Sequence, residues 1–520
     1  MAKVNFKTDF HQAKWCEPMI YELSTPGLRG IIPPIVEDEI VEFTGDDVAS
    51  KLPACLQRKS SLDLPEVDQK HVLAHYLHLS QETSGANLTN DMSEGTCTMK
   101  YNPRLCEDLT LNPGFADIHP DQDPDTVQGM LQMYYDFEKV VKEVSGLDKF
   151  TLQPGGGNHA VYTAASVVRA YHESRGELEQ RNEIITTIFS HPCDSACPAT
   201  AGFKVITIWP DEHGMPDYEA IKAAANEHTA AIFMTNPEDI GIYNVHADKI
   251  VETLHAVGAL CFYDQANANA FLGVARAKEA GFDMCHFNVH KTFGTPHGGE
   301  GPALGAFGVR DYLKDYLPVP TVEFDGEKYW LDYDKKLTIG KVREYLGQSG
   351  VVLKAYTWAR MMGPDYLREC AEISVLNNNY MLKQMEQIPG VSHAFQGNGI
   401  QRQEQIRYSF AELKEKYDVG SDDVNCRLGD YGIPWFWSSH HPWVIPEPMT
   451  IEPCESYTKE DIDEYVMAVA AVCKEAAEDP ELVKHAPYNT AMHRRINEEK
   501  LDDPKEWAIT WRAYLRKHGK

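Results

Sequence analysis

Four short apolar runs, separated by stretches with helical periodicity, lie between residues 183 and 265 and limit what this chain can fold into. Apolar runs of this kind between helices are typical of a parallel sheet that is buried on both faces, so this region predicts an α/β domain. The runs are EIITTIFS at 183–190, FKVITIWP at 203–210, AAIFMTN at 230–236 and ALCFYDQ at 259–265.

The regions on either side of these runs differ in character. The first 130 residues are rich in proline, glycine and turn residues, which predicts an arm with irregular segments. The stretch TVQGMLQMYYDFEKVVKEVSG at 126–146 has apolar residues at helical spacing and predicts a helix. We therefore predict an N-terminal arm at 1–130, a large α/β domain at 131–330 and a smaller α+β domain at 331–520.

Charge and hydropathy exclude some classes of function. The chain of 520 residues carries 49 Lys and Arg against 78 Asp and Glu, and this net charge of -29 disfavours nucleic acid and anionic membranes as partners. No stretch reaches the roughly 18 apolar residues of a membrane span, and the N-terminus lacks the apolar core of a secretory signal. We expect a soluble, cytoplasmic protein.

Twelve cysteines are spread along the chain without CxxC pairs, which predicts neither a disulfide framework nor a zinc ribbon. Reduced thiols and no bound metal are the expectation. Cys193 and Cys197, in HPCDSAC, form the one close pair; a redox or metal site is one interpretation, and a pair of ordinary buried thiols is the favoured one.

The segment FNVHKTFGTPHGGEGP at 287–302 places Lys291 between an apolar run and a glycine-rich turn. An amine there can enter a cleft, where it could carry pyridoxal phosphate, bind a phosphate or pair with a carboxylate.

Upstream, Asp264 ends an apolar strand, at the carboxyl edge where open α/β sheets bind ligands. A carboxylate there can keep the pyridinium nitrogen of pyridoxal phosphate protonated, and N-capping of a helix is its alternative role. The spacing of 27 positions (291 - 264) recurs in pyridoxal enzymes.

A third element is LQPGGGNH at 152–159, which runs directly into a helical stretch. Glycines before a helix let backbone N–H groups approach a phosphate, whose charge the helix dipole favours. His159, just past the glycines, could stack on the pyridine ring, or it could cap the helix or face solvent.

Ordered motifs extend these three elements over nearly the whole chain. They include YELSTPGLRG, TCTMKYNPR, HPDQDPDTVQG, RAYHESRGE, TNPEDIGIY, DQANANA, LDYDKKLTIGKVREYLG and VIPEPMTIEP. With these motifs the sequence resembles the glycine decarboxylase P-protein family of the glycine cleavage system, as subunit 2 of the split form or the C-terminal half of the fused form. The resemblance implies the aspartate-aminotransferase-like fold type I of pyridoxal enzymes, with a large parallel-sheet domain and a smaller α+β C-terminal domain.

The same resemblance implies a set of site residues. Lys291 would hold pyridoxal 5'-phosphate as a Schiff base, Asp264 would pair with the ring nitrogen and His159 would stack on the ring. The cofactor-binding candidates are Gly156, Gly157, Asn158, His159, Asn236, Asp264, Ala266, Asn267, His290, Lys291 and Thr292. The candidates for contact with the substrate are His191, Thr96 and His297.

The implied activity is decarboxylation of glycine with transfer of the aminomethyl group to the lipoyl disulfide of H-protein. The implied assembly is a homodimer or an α2β2 complex with a companion subunit 1. This chemistry requires the protein to lower the pKa of the lysine from about 10.4. A stand-alone decarboxylase or lyase for another amino acid is one alternative. A non-catalytic subunit is another, although a chain that keeps both Lys291 and Asp264 argues against it.

The sequence departs from the family pattern at loops expected around the substrate. The family stretch His-Gly-Thr-Asn-Pro-Ala-Ser appears as residues 191–197, HPCDSAC, so Asp194 stands where the family has asparagine. The usual Pro-Leu-Gly-Ser before CTMK is Met-Ser-Glu-Gly-Thr at 92–96, and Glu300 interrupts a glycine run. Either acidic side chain would change the charge of the pocket if it points inward. The cluster Trp435, Trp437, His440, His441 and Trp443 predicts domain packing, with a substrate wall or a partner surface as alternatives.

Overall fold

A computed structural model of the protein describes most of the chain. It covers residues 4, 6–45, 47–60, 62–83, 90, 92–297, 303–434, 438–441, 444–491 and 503–519. Glu300, Trp435, Trp437 and Trp443 therefore lie outside the described residues, and the predictions made for them stay predictions. Contacts divide the chain into two units, of which one comprises Met1–Thr8 and Gly85–Ala486 and the other Asp9–Ser84 and Pro487–Lys520. The predicted division at residues 130 and 330 stays a prediction.

The first unit is built around a seven-stranded sheet. Its strands are β1 Lys149–Thr151, β2 Glu183–Thr187, β3 Lys204–Ile208, β4 Thr229–Thr235, β5 Leu260–Asp264, β6 Met284–Asn288 and β7 Gly305–Val309. Their order is β1-β7-β6-β5-β4-β2-β3. The four runs singled out in the sequence are β2 to β5, and they pair in parallel as predicted. β7 pairs antiparallel with both β1 and β6, so the sheet is mostly rather than wholly parallel.

Helices cover both faces of this sheet. They include α5 Gln128–Ser145, the helix predicted at 126–146, as well as α6 Gly157–Ser174, α7 Cys193–Thr200, α8 Tyr218–Ala224, α9 Ala247–Ala256 and α10 Val289–Thr292. Side chains of a strand alternate between its two faces. On β4, Phe233 packs in one buried cluster with Val161 of α6, whereas Met234 packs in another with Ile250 of α9. Burial on both faces explains why the strands are continuously apolar.

A smaller antiparallel sheet follows within the same unit. Its strands are β10 Ser392–His393, β11 Ile406–Ser409 and β12 Pro448–Ile451, and β8 Thr321–Phe324 with β9 Tyr329–Asp332 forms a separate hairpin. The associated helices are α3 Arg104–Thr110, α4 Pro113–Ala116, α11 Ser349–Met385, α12 Ala411–Tyr417, α13 Ser421–Gly429, α14 Lys459–Glu478 and α15 Pro480–Lys484. α11 consists of two helical segments that meet at Gly363, whose φ is 69°. The mixture of strands and helices agrees with the predicted α+β character of the C-terminal region.

The second unit contains α1 Asp38–Thr44, α2 Gln69–Gln81 and α16 Trp511–Lys517. Glu17 accepts hydrogen bonds from His75 and His78 of α2 at 2.9 and 2.8 Å. Tyr21 stacks on Trp511 with ring centroids 5.0 Å apart, so the two chain segments that form this unit contact each other. A search of the described residues finds no helix long and apolar enough to cross a membrane.

Candidate active site

The carboxyl ends of the parallel strands bring the candidate residues to one edge of the large sheet. Asp264 is the last residue of β5, and Lys291 lies in α10 directly after β6. The loop after β2 contains His191, and the glycine loop after β1 leads into α6. Ligands bind at this edge in open α/β sheets. The topology therefore explains how residues more than 100 positions apart come to one site.

Lys291 is buried, with 4% of its surface exposed, and acidic groups surround its amine. Burial lowers the pKa of Lys291, but the charges of Cys97, Asp264, Glu452 and Asp239 outweigh this effect, so the pKa lies above its ordinary value. Desolvation acts in the expected direction, and the expected lowering by the charge of the bound cofactor stays a prediction. The carboxylates hold the amine as an ammonium until another cation compensates them.

Asp264 is also buried, and its carboxylate is fixed by its surroundings. Its Oδ1 accepts a hydrogen bond from the backbone N–H of Ala266 at 2.8 Å, and Nε2 of His286 lies 3.6 Å from the same oxygen. Desolvation lowers the pKa of His286, which keeps that ring neutral at pH 7. Asp264 thus presents a negative charge beside Lys291 at the sheet edge, as a partner for a cationic ring nitrogen requires.

Three histidines with lowered pKa values lie near Lys291. Desolvation lowers the pKa of His191 to about 4, with His440 and Lys291 adding to the effect. Desolvation likewise lowers the pKa of His290 to about 2 and that of His297 to about 4, and Lys291 contributes to both. The imidazoles are therefore neutral at pH 7, and they can accept or donate hydrogen bonds without adding positive charge.

The rings of these histidines are packed in pairs. His290 and His297 meet edge to face with centroids 5.1 Å apart, and His191 meets His440 in the same way at 4.4 Å. Nδ1 of His191 also lies 2.9 Å from Sγ of Cys193. The structure thus brings all three predicted histidines of the Lys291 region together.

The glycine loop has the shape of a phosphate cradle. A Cβ on Gly157 would lie 2.7 Å from Nδ2 of Asn288, and one on Gly305 would lie 2.6 Å from the carbonyl oxygen of Gly156. Side chains at these positions would therefore fill the space before α6. Asn288 is buried, and its Oδ1 has no hydrogen-bond partner in the described residues. An orphaned amide beside the first turn of an 18-residue helix fits the phosphate of pyridoxal phosphate.

His159 lies in the first turn of α6, directly after the glycines. Its Nδ1 accepts a hydrogen bond from the backbone N–H of Gly155 at 3.1 Å. Desolvation and the nearby charge of Arg343 lower its pKa. The charges of Lys291 and Asp264 act on the pKa of His191, whereas Arg343 and Glu344 act on that of His159. The stacking role of His159 stays a prediction.

The remaining candidates are held by local hydrogen bonds. Oδ1 of Asn236 accepts from the N–H of Asn244 at 2.8 Å, and Oγ1 of Thr292 accepts from the N–H of Ala268 at 3.0 Å. Nδ2 of Asn267 donates to Glu452 at 2.7 Å. The carbonyl of Asn158 accepts from Cys197 at 3.3 Å, the carbonyl of Ala266 accepts from the N–H of Asn288 at 3.0 Å, and Oγ1 of Thr96 lies 3.9 Å from Sγ of Cys97. These contacts fix the loops that carry the site.

Sequence reasoning missed three groups that act on Lys291, the thiol of Cys97 and the carboxyl groups of Asp239 and Glu452. Cys97 precedes α3, Asp239 follows β4 and Glu452 follows β12. Burial raises the pKa of Glu452 to about 7, against the effect of its hydrogen bonds from Asn267 and Asn269. All three positions lie in motifs noted in the sequence, TCTMKYNPR, TNPEDIGIY and VIPEPMTIEP, but only the folded chain shows that they come to the lysine.

Comparisons with known proteins place the chain in a family. Residues 155–306 match the family model "Aminotransferase class-V", and residues 370–491 match "Glycine dehydrogenase, C-terminal domain". A protein of Pyrococcus abyssi named "Probable glycine dehydrogenase (decarboxylating) subunit 2" is 42% identical over 513 residues, which is 97% of this chain and 98% of its own. The protein belongs to this glycine dehydrogenase subunit 2 family. A Thermococcus kodakarensis member with the same name is 41% identical over 98% of this chain and 99% of its own.

Solved structures show the fold of this subunit 2 protein. A glycine decarboxylase P-protein of the glycine cleavage system, in inhibitor-bound form, matches with a TM-score of 0.69 at 18% identity, over 85% of this chain and 100% of its own. A NifS-like protein matches with a TM-score of 0.56 at 16% identity, over 74% and 98%. The predicted fold type I of pyridoxal enzymes is thereby confirmed. The family and its fold also confirm that the protein is a pyridoxal-phosphate enzyme.

Proposed function

We propose that this protein decarboxylates glycine and passes the aminomethyl group to a lipoylated carrier protein. The observation that carries the proposal is the buried pair Lys291 and Asp264 at the carboxyl edge of the sheet, in a chain that matches glycine dehydrogenase relatives over their whole length. The carboxyl–carbon bond of glycine breaks and carbon dioxide leaves. The electron pair left on the aminomethyl carbon attacks one sulfur of the lipoyl disulfide, whose second sulfur leaves and takes a proton.

Each residue of the site has a defined task in this reaction. Bound pyridoxal phosphate supplies an electron sink for the broken bond. Lys291 would hold the cofactor, and its Nζ could move a proton beside the reacting carbon. Asp264 would pair with the ring nitrogen, and the first turn of α6 with Asn288 would hold the phosphate. The neutral His290 and His297 line the space beside Lys291 without attracting the glycine carboxylate, whose release as carbon dioxide a nearby cation would oppose.

For the ring of the cofactor we infer that His191 provides the stacking surface. We expect His191→Ala to weaken the binding of pyridoxal phosphate about 3- to 10-fold, because an aromatic pair contributes roughly 0.5–1.5 kcal/mol beyond its buried area. His159→Ala is the matched control and is expected to change the affinity by less than about twofold, since no stacking is lost. Titration of the cofactor-free protein, followed by absorbance, measures both. The reverse order of effects would return the stacking role to His159.

The partners follow from the same function. A chain of the subunit 2 type requires a companion subunit 1, and a lipoylated H-protein is the acceptor of the aminomethyl group. We propose an α2β2 assembly in the cytoplasm, with the division at residues 130 and 330 as its domain organisation. The alternatives of a stand-alone lyase and of a non-catalytic subunit are not favoured by the comparisons.

A visible absorption spectrum of the protein, co-purified with its companion subunit and loaded with pyridoxal phosphate, tests the proposal. Glycine, alanine and serine are added in turn. We expect glycine alone to shift the cofactor band, and carbon dioxide to be released from carboxyl-labelled glycine only when lipoylated H-protein is present. A band that ignores glycine and responds to another amino acid would refute glycine as the substrate.

A further inference from the structure

A second buried carboxyl group lies against the cofactor aspartate. Asp194 of α7 is fully buried, and its carboxyl group lies beside that of Asp264. Carboxylate oxygens of both residues and Sγ of Cys193 all lie within 4.8 Å of one another. The acidic side chain that distinguishes HPCDSAC from the family stretch therefore points into the site rather than into solvent.

Two carboxyl groups whose oxygens lie within 4.8 Å of each other and out of water disfavour being ionised together, so such a pair favours holding one proton. The hydrogen bonds decide which residue keeps it. Asp264 accepts the N–H of Ala266 at 2.8 Å and lies close enough to Lys291 for its charge to act on the amine. Asp194 receives only the hydroxyl of Thr235, at 3.1 Å, and its Oδ1 has no further donor among the described residues. The proton therefore belongs on Asp194.

The electrostatic surroundings agree with this assignment. Burial and then the charge of Asp264 raise the pKa of Asp194 far above its ordinary value, and Asp239 acts in the same direction. The other titratable groups that face the pair are His191, Cys193, Cys197, His286 and Lys291. The two histidines are neutral, and burial raises the pKa of both thiols. Neither the histidines nor the thiols therefore add a charge beside the two carboxyl groups.

We propose that Asp194 is a positioning residue for the cofactor ring: it keeps its proton and donates it to Asp264, so that Asp264 alone carries the charge that faces the ring nitrogen. The proposal rests on the function proposed for Asp264. An asparagine, which the family stretch has at this place, would donate a similar hydrogen bond from its amide. Aspartic acid differs because its donor can be lost by ionisation.

Infrared spectroscopy of the cofactor-free protein tests the protonation directly. Labelling aspartate with ¹³C should shift a carbonyl band of a protonated carboxyl group at pH 7, and the band should fade as the pH rises through the raised pKa of Asp194. The band should be absent in Asp194→Asn. It should persist in Asp239→Asn, since Arg407 and the nearby His440 lower the pKa of Asp239 despite its burial, and Asp239 is ionised at pH 7.

No label-sensitive band in the wild type, or a band that survives in Asp194→Asn, would overturn the proposal. The wild-type measurement decides this even if a variant does not fold. It also requires no cofactor, so its result is independent of the proposed function.

The affinity for pyridoxal phosphate tests the positioning role. Asp194→Asn, which keeps a donor, should bind within about twofold of the wild type. Asp194→Leu, of similar size without a donor, should bind roughly 10-fold or more weakly, because hydrogen bonds to charged groups are the stronger class. Equal loss in both variants, or no loss in Asp194→Leu, would show that donation to Asp264 does not position the cofactor.

Discussion

Lys291→Ala should lower the release of carbon dioxide from glycine at least about 10³-fold, because the change removes both the amine that holds the cofactor and a group that can move a proton. Lys291 is buried in α10, and the charges of Asp264, Glu452 and Asp239 act on its amine. The rate of labelled carbon dioxide release in the presence of H-protein and the companion subunit measures the effect.

A matched lysine separates loss of chemistry from nonspecific effects of removing an amine. Lys222 of α8 is exposed, and Lys222→Ala should keep the wild-type rate and cofactor band. In Lys291→Ala the cofactor should bind without the band of its lysine bond, and an added small primary amine should restore part of the rate. A variant at Lys291 that keeps a tenth of the wild-type rate without added amine would remove this lysine from its proposed role.

The parts of the fold that the sequence predicts well are those with a local cause. Strands β2 to β5 are predicted correctly because strands buried on both faces consist of continuous apolar residues. Helix α5 is predicted correctly because its apolar side chains recur every three to four positions. Lys291 and Asp264 could be singled out for the same reason, since each follows such a strand directly. The antiparallel direction of β7 has no such marker, because only the pairing of β7 with β1 and β6 reveals it.

The parts of the site that the sequence misses depend on contacts across long stretches of chain. Glu452 reaches Asn267 from 185 positions away, and nothing near either residue indicates this. The raised rather than lowered pKa of Lys291 follows from such distant charges. The sequence identifies Asp194 as an unusual carboxylate but not the direction of its side chain, because that direction depends on how α7 packs against β4.

A buried ion pair near the site should have the largest effect on stability. Nζ of Lys100 lies 2.6 Å from Oε2 of Glu455, with the lysine side chain fully buried. Burial lowers the pKa of Lys100, but Glu455 and two nearby thiols outweigh it, so the pKa is raised. A lysine with a raised pKa contributes stability below its unfolded pKa of about 10.4 and loses it as the pH rises through the folded value. The contribution is therefore fully present at pH 7.

Lys100→Met should lower the free energy of unfolding by roughly 3–5 kcal/mol, because it leaves the Glu455 charge buried without its partner. Removing the charge of Glu455 as well should restore most of this loss, since replacing a whole buried pair by apolar residues is often neutral. Urea denaturation of the cofactor-free protein at pH 7, for Lys100→Met, Glu455→Leu and the double variant, measures the coupling. If the double variant lost as much as the two single losses added together, the pair would not be coupled. The ionic interaction would then contribute nothing, and the loss in Lys100→Met would come from packing alone, including the contact of the ammonium with the Trp358 ring at 5.3 Å.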